Sequence, residues 1–376
     1  MGFRIASIYL YLLLLVSGGD VLAEVPNATI PVLIPLTGSA AEQGFWIRDG
    51  VALAEEEFNK ESKLQVKAVY EDTMADPKTA ISTYQSAVGR NSFSAVITYG
   101  SGVAVALSPL TNRDKIVQMG VATATPAYRS LSDYTFRNFP SAEIDSKFVV
   151  DAILETLNCQ EISIISIQNE YGVASAKSVK DLFEKRGGRV LSSEEIAANG
   201  SDYRTTLLKL REKNPKVVYL AVYPIEGATL LKQAKEMGIK SQFVAGSAII
   251  GSKEFLNIAK SGAEGLIVNT QEPAFLNEKN SLGQRFMKLY REKYQEEPNV
   301  QHLYAARAYD AFTLLAKGYE QCLGSEEVDC LKSYLYGVKN YLGASGKISF
   351  DENGDIATNF VLEKIINGKF VELRNN

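Results

Sequence analysis

From residue 29 the chain alternates short apolar runs with longer stretches in which apolar residues recur at three- and four-residue spacings. Runs of the first kind read as strands buried on both faces, and the second kind as amphipathic helices. "TIPVLIPL" is the first predicted strand, and Ile47, Val51, Ala54 and Phe58 then mark one face of a helix. Residues 64–70, 94–99 and 115–121 are the next strands, with helices beginning near Pro77 and Ala104. One βα layer thus covers residues 29–140.

A second series follows, with strands predicted at 161–167, 188–196, 216–223, 241–246 and 265–270. Amphipathic helices separate them, for instance 228–237, where Gly238 stands as a stop signal. Helical segments at 281–295 and 301–319 lead into a β-rich tail, in which "DENGD" is a turn and Asn367-Gly368 signals a hairpin. The pattern predicts an α/β protein of two doubly wound parallel-sheet layers.

Ligands of open α/β sheets bind outside the carboxyl ends of strands. Two predicted strands end in small residues: Gly100-Ser101-Gly102, and Ala122, Thr123, Ala124 and Thr125. Small residues leave room there, and amides at a helix start receive anions. The alternative is that Ser101 and Thr123 merely cap the helices that follow.

Composition narrows the class. The chain has 376 residues, enough for about two domains, with 46% hydrophobic and 22% charged residues. A net charge of −4 gives no clustered excess of Lys and Arg for nucleic acid. The start, "MGFR", an apolar run at 5–16 and "VLA" at 21–23, reads as an export signal, with the mature chain beginning near Glu24; an uncleaved anchor is the other reading. Cys322 and Cys330 are close enough in sequence to pair in an oxidising compartment, whereas Cys159 precedes an apolar run and reads as a packed thiol.

At this point the chain resembles the type I periplasmic binding proteins of the branched-chain amino acid (Leu/Ile/Val) ABC-transporter class. The resemblance is carried by "IPLTGSAAEQGFWIRDGVALAEEEFN", "VYEDTMADPKTAISTYQSAV", "FRNFPSAEIDSKFVVDAI", "NEYGVASAKSVKDLFEKRGG", "YRTTLLKLREKNPKVVYLA", "LLKQAKEMGIK", "GAEGLIVNT" and "GKISFDENGD", in that order and spacing. It implies two lobes joined by a three-strand hinge: 24–140 plus 271–344, and 141–270 plus 345–376, after a signal peptide at 1–23. It further implies one small ligand trapped between lobes, an ABC permease as partner, a monomer, a periplasmic location and no cofactor. Hinge positions are expected near 140–143, 270–273 and 343–346. The runner-up is a soluble sensing module that signals through a separate membrane receptor.

Carried over by position, the resemblance gives the ligand carboxylate to Ser101 and to the backbone and hydroxyls of Ala122, Thr123, Ala124 and Thr125. The family's Thr or Ser two residues before the proline is Ala124 here, so the register stays open by one residue. Tyr171 of "NEYG" and Tyr304 match further contacts. Departures matter more. The acid that holds the ligand ammonium in amino acid binders aligns with Ala248 or Ser247, and no carboxylate stands there; Glu226 and Glu254 are the nearest acids. The aromatic cover aligns with Gln43, and a second-lobe tyrosine with Val222, beside Tyr223. An aromatic wall can be rebuilt from Phe45, Trp46, Tyr171, Tyr223 and Tyr304. A buried ammonium without a counter-charge is costly, so the expected ligand is a small carboxylate or amide-like compound.

Enzyme readings fail. The single histidine, His302, lies in a helical pattern, where a lone histidine is more often a packed or surface residue than a catalyst. "YGSGV" is not a nucleophile elbow, and no phosphate-binding G-x-x-x-x-G-K-[ST] occurs.

Overall fold

The computed structural model describes residues 27–90, 92–250, 252–324 and 327–373; the expected signal peptide at 1–23 lies outside the described residues. The first five strands are β1 (Asn27–Ile34), β2 (Gln65–Asp72), β3 (Ala95–Tyr99), β4 (Val117–Val121) and β5 (Thr135–Arg137). They form one parallel sheet in the order β2-β1-β3-β4-β5. Its central strands β3 and β4 are buried at every residue, which is why they read as mostly apolar runs, and their polar residues pair inside, Gln118 Nε2 donating to Thr98 Oγ1 at 3.1 Å.

The second sheet takes β6 (Glu161–Ile167), β7 (Arg189–Ile196), β8 (Val217–Ala221), β9 (Gln242–Gly246) and β10 (Ile267–Gln271) as parallel strands. After a small hairpin, β11 (Tyr341–Gly343) and β12 (Gly346–Ile348), the chain returns with β13 (Phe360–Ile366) and β14 (Lys369–Glu372), which add an antiparallel edge to β10. Both residues of the turn between β13 and β14 have positive φ, 52° at Asn367 and 70° at Gly368. That geometry is why Asn-Gly is a hairpin signal.

Helices α1 (Ala41–Glu61), α2 (Pro77–Arg90) and α3 (Ser101–Arg113) alternate with the first strands, and α4 (Ala142–Asp151), α5 (Glu170–Lys185), α6 (Arg204–Lys213), α7 (Pro224–Glu236) and α8 (Glu254–Ala259) with the second. Two of these begin earlier than the apolar spacing indicated. Helix α3 starts at Ser101 rather than near Ala104, and α7 starts at Pro224 rather than Ala228, with proline at its first position. Strand β5 and helix α4 were not legible, being a three-residue strand and a ten-residue helix next to a proline. Helices α9 (Ser281–Tyr294), α10 (Leu303–Gln321) and α11 (Glu327–Gly337) follow β10, and α10 packs along α1. Cys322, at the end of α10, is joined by a disulfide to Cys330 of α11, and Cys159 is a buried free thiol.

The chain passes between the sheets after β5, after β10 and between β12 and β13. The third passage lies beyond the glycines at 343 and 346, because those residues form the hairpin turn: Asp310 of α10 accepts from the amides of Ala344 and Ser345, both at 2.7 Å. Arg307 ties the passages together. Its guanidinium donates to Asn138 beside the first (3.3 Å), to Gln271 at the second (3.1 Å) and to Thr358 in the third (3.1 Å). Burial lowers its pKa to about 10, with Asp310 opposing.

Candidate functional site

The carboxyl ends of β3 and β4 face those of β6, β8 and β9, with the starts of α3, α5 and α7 around them. Two features of the first wall explain its small residues. Gly100 leaves β3 with φ 83°, and α3 begins without a side-chain cap. Ala122 leaves β4 at φ 58°, a left-handed conformation that a non-glycine residue adopts only under constraint. Ser101 is almost fully buried, and its Oγ accepts from the amides of Ala124 (3.1 Å) and Thr125 (3.2 Å). Those two amides therefore serve the loop. The hydroxyl proton of Ser101 is left to point elsewhere, polarised by two donors.

The other small residues divide. Thr123 is turned into the protein, its Oγ1 at 3.5 Å from the Gly100 carbonyl, and Ala124 is buried. Arg137 donates to the carbonyls of Thr123 (3.4 Å) and Thr125 (2.8 Å), so the loop is held from below. Thr125 caps the 3-10 turn that follows and donates from Oγ1 to Glu170 Oε1 at 2.8 Å. That bond joins the two walls. A second tie is Ser252, whose Oγ donates to Glu42 at 2.5 Å, and a third is Gln301, whose Nε2 donates to the carbonyls of Ile250 (2.8 Å) and Ser252 (2.9 Å).

The aromatic wall is made of tyrosines. Tyr171 and Tyr223 stack at 5.3 Å between centroids with 7° between planes. Tyr304 lies between Trp46 and Phe139, each 6.3 Å away and close to parallel. Tyr99 donates to Gln43 Oε1, and Gln43 is itself buried, so the amide fixes this phenol. Burial raises the pKa of Tyr99, Tyr171, Tyr223 and Tyr304, and each is raised further by at least one neighbouring tyrosine, acid or both, which marks one shared, poorly solvated space. Phe45, by contrast, is 39% exposed under Arg48 and takes no part. Ala248 sits partly exposed on a 3-10 turn after β9.

Among the acids, Glu226 is buried, its Oε1 accepting from the Asn199 amide at 2.9 Å. Glu254 begins α8, away from this wall. Asp145, which spacing did not single out, stands here: Asn269 Nδ2 donates to its Oδ1. Burial pushes the Asp145 carboxyl up to about 7, the bond from Asn269 opposing. His302 is buried against Trp46 and accepts the Asn299 amide at 3.0 Å, as a helix-start cap.

A groove of about 840 Å³ opens beside the site, between Thr125, Glu143, Glu170, Lys177 and Asp355. Its lining mixes charged side chains with small and apolar ones such as Ala127, Val173 and Ile356, and the tyrosines are not part of it. The tyrosine wall offers what a small-molecule site needs, apolar surface with a few fixed polar groups.

A family model described as "Periplasmic binding protein" matches residues 27–369. The chain is 26% identical over 329 residues to the leucine-, isoleucine-, valine-, threonine-, and alanine-binding protein of Pseudomonas aeruginosa, covering 86% of this chain and 85% of that protein. It is 23% identical over 358 residues to the Leu/Ile/Val-binding protein homolog 3 of Brucella melitensis, with 93% and 95% covered. Among solved structures, a leucine binding protein from Thermotoga maritima superposes with a TM-score of 0.84 at 23% identity, over 92% of this chain and 98% of that one. A branched-chain amino acid transporter substrate binding protein from Streptococcus pneumoniae, in complex with isoleucine, gives 0.80 at 23% identity, over 92% and 100%.

Proposed function

The chain belongs to the periplasmic binding protein family, of type I, and on that premise we propose that it captures a small amino acid-like ligand for an ABC importer. The carrying observation is the arrangement around Ser101. Its hydroxyl receives two backbone amides and lies at the uncapped start of α3, so its proton and the first-turn amides form an anion-accepting corner facing a wall of phenols. The ligand's carboxylate goes to this corner, and its apolar part against Tyr171, Tyr223 and Tyr304.

Two lobes would move as units, one built on the β1–β5 sheet with α9 to α11, the other on the β6–β10 sheet with β13 and β14. Contacts drawn from both walls, such as Thr125 with Glu170, exist only when the lobes approach. Ligand that touches both walls shifts the balance toward that state by its differential affinity. A permease that reads the approached lobes then receives loaded protein.

The test is thermal unfolding of the mature protein with leucine, isoleucine, valine, alanine, threonine and their amine-free acids. A ligand bound only by the folded state at a hundred times its Kd adds about 2.7 kcal/mol of stability. A rise in Tm with one group of these compounds supports the reading; no rise with any rejects this ligand class.

A further inference from the structure

Helix α4 starts at Ser141, whose Oγ accepts the Ile144 amide at 3.3 Å, and its first full turn brings Asp145 toward the end of β9. There the chain has Gly246. A Cβ at that residue would lie 3.1 Å from Asp145 Oδ2, 3.6 Å from Tyr171 Oη and 3.6 Å from Tyr219 Oη. Three oxygens from α4, α5 and β8 therefore converge on one point, next to the turn that carries Ala248. Asn269 adds a fourth group by holding the other carboxylate oxygen.

The corner is short of donors. Tyr219 Oη and Asn269 Oδ1 are fully buried and have no hydrogen-bond partner among the described residues. Asp145 is closely surrounded by protein yet keeps some accessible surface. No Lys or Arg forms an ion pair with it among the described residues. A carboxylate, an amide oxygen and a phenol with no cation between them suit a group with several N–H donors and no acceptor, and an ammonium is that group.

Resting on the amino acid-like reading above, we infer that Asp145, with Tyr219 and Asn269 beside it, holds the ammonium group of the ligand and so takes the role for which Ala248 has no carboxylate. Glu226 is the poorer candidate by access: it is 1% exposed, one oxygen accepting the Asn199 amide and the other fully buried without a partner among the described residues, whereas Asp145 keeps accessible surface. The ligand class is thereby an α-amino acid with an apolar side chain, not an amine-free acid.

Calorimetric titration with L-leucine and with its keto acid, 4-methyl-2-oxopentanoate, tests this on the wild type, D145N, D145S, E226Q and the double variant D145N/A248E. Loss of a buried charge partner is expected to weaken leucine binding to D145N and D145S by about thirtyfold or more. Keto acid binding should be unchanged or tighter, and A248E should restore part of the leucine affinity. Folded D145N or D145S that binds leucine within about threefold of wild type overturns the inference, as does E226Q losing leucine where D145N does not. Wild type that binds only the keto acid overturns it while leaving the solute-binding reading intact; wild type that binds neither overturns it, and overturns the solute-binding reading as well where none of the other amino acids and amine-free acids raises Tm.

Discussion

Arg137 grips Asp355 through two parallel bonds, Nε to Oδ1 and Nη2 to Oδ2, both 2.6 Å, with the arginine side chain fully buried. The same guanidinium carries the Thr125 carbonyl, so one ion pair links the third passage between the sheets to the loop at the ligand wall. Removing one partner of such a pair leaves a buried charge alone, at a cost of about 3–5 kcal/mol. D355N should lower the urea midpoint accordingly and loosen the 122–125 loop, read as faster amide exchange there.

Ser101 has two jobs, and its replacement should show both. S101A removes the acceptor for two amides and the donor for a carboxylate. A loss of about 1–3 kcal/mol in ligand binding is expected, measured by titration, together with a smaller loss of stability. Unchanged affinity with lowered stability would leave this serine a purely structural role, holding the 122–125 loop.

Asp145 makes ligand-free stability depend on pH. Its folded pKa of about 7 lies above the ordinary value, because burial outweighs the bond from Asn269. The folded chain thus holds a proton that the unfolded chain has released between about pH 4 and 7. Stability is full below the lower value and falls as pH rises through the upper one, by at most about 1.4 kcal/mol per pH unit. The facing groups, Tyr171, Tyr219 and Asn269, stay neutral across that window, the tyrosines being raised by burial. D145N should flatten the profile of Tm against pH, and the Tm increment caused by leucine should grow from pH 5.5 to 8 in the wild type only.

The disulfide between Cys322 and Cys330 closes a separation of 8 residues at the far end of α10 from Tyr304. A loop of this size constrains the unfolded chain by roughly 2–3 kcal/mol. C322S/C330S should unfold earlier by that amount while binding the same ligands with the same affinity, compared by denaturant titration and calorimetry.

The βα alternation was legible because parallel strands buried on both faces leave mostly apolar runs, as in β3 and β4, whose Thr98 and Gln118 are the exceptions. Asn367-Gly368 was legible because its turn demands two positive φ values. The ligand wall was half legible. Strand ends point to Ser101 and to 122–125, but which of those groups face the ligand depends on rotations that a sequence does not carry, such as Thr123 turning inward. Asp145 was not legible at all. Its partners at 171, 219, 246 and 269 come from four separate elements, and nothing local marks their meeting. Only the missing acid at Ala248 hinted that some other residue had to be sought.

Arg307 meets the three passages through Asn138, Gln271 and Thr358, all uncharged. These three bonds contain no ion pair for dissolved salt to screen, unlike that of Arg137 with Asp355. Those bonds should therefore hold steady as ionic strength changes, while one planar group keeps the three passages in a fixed relation to each other. Mechanical coordination and tolerance of salt then come from the same side chain.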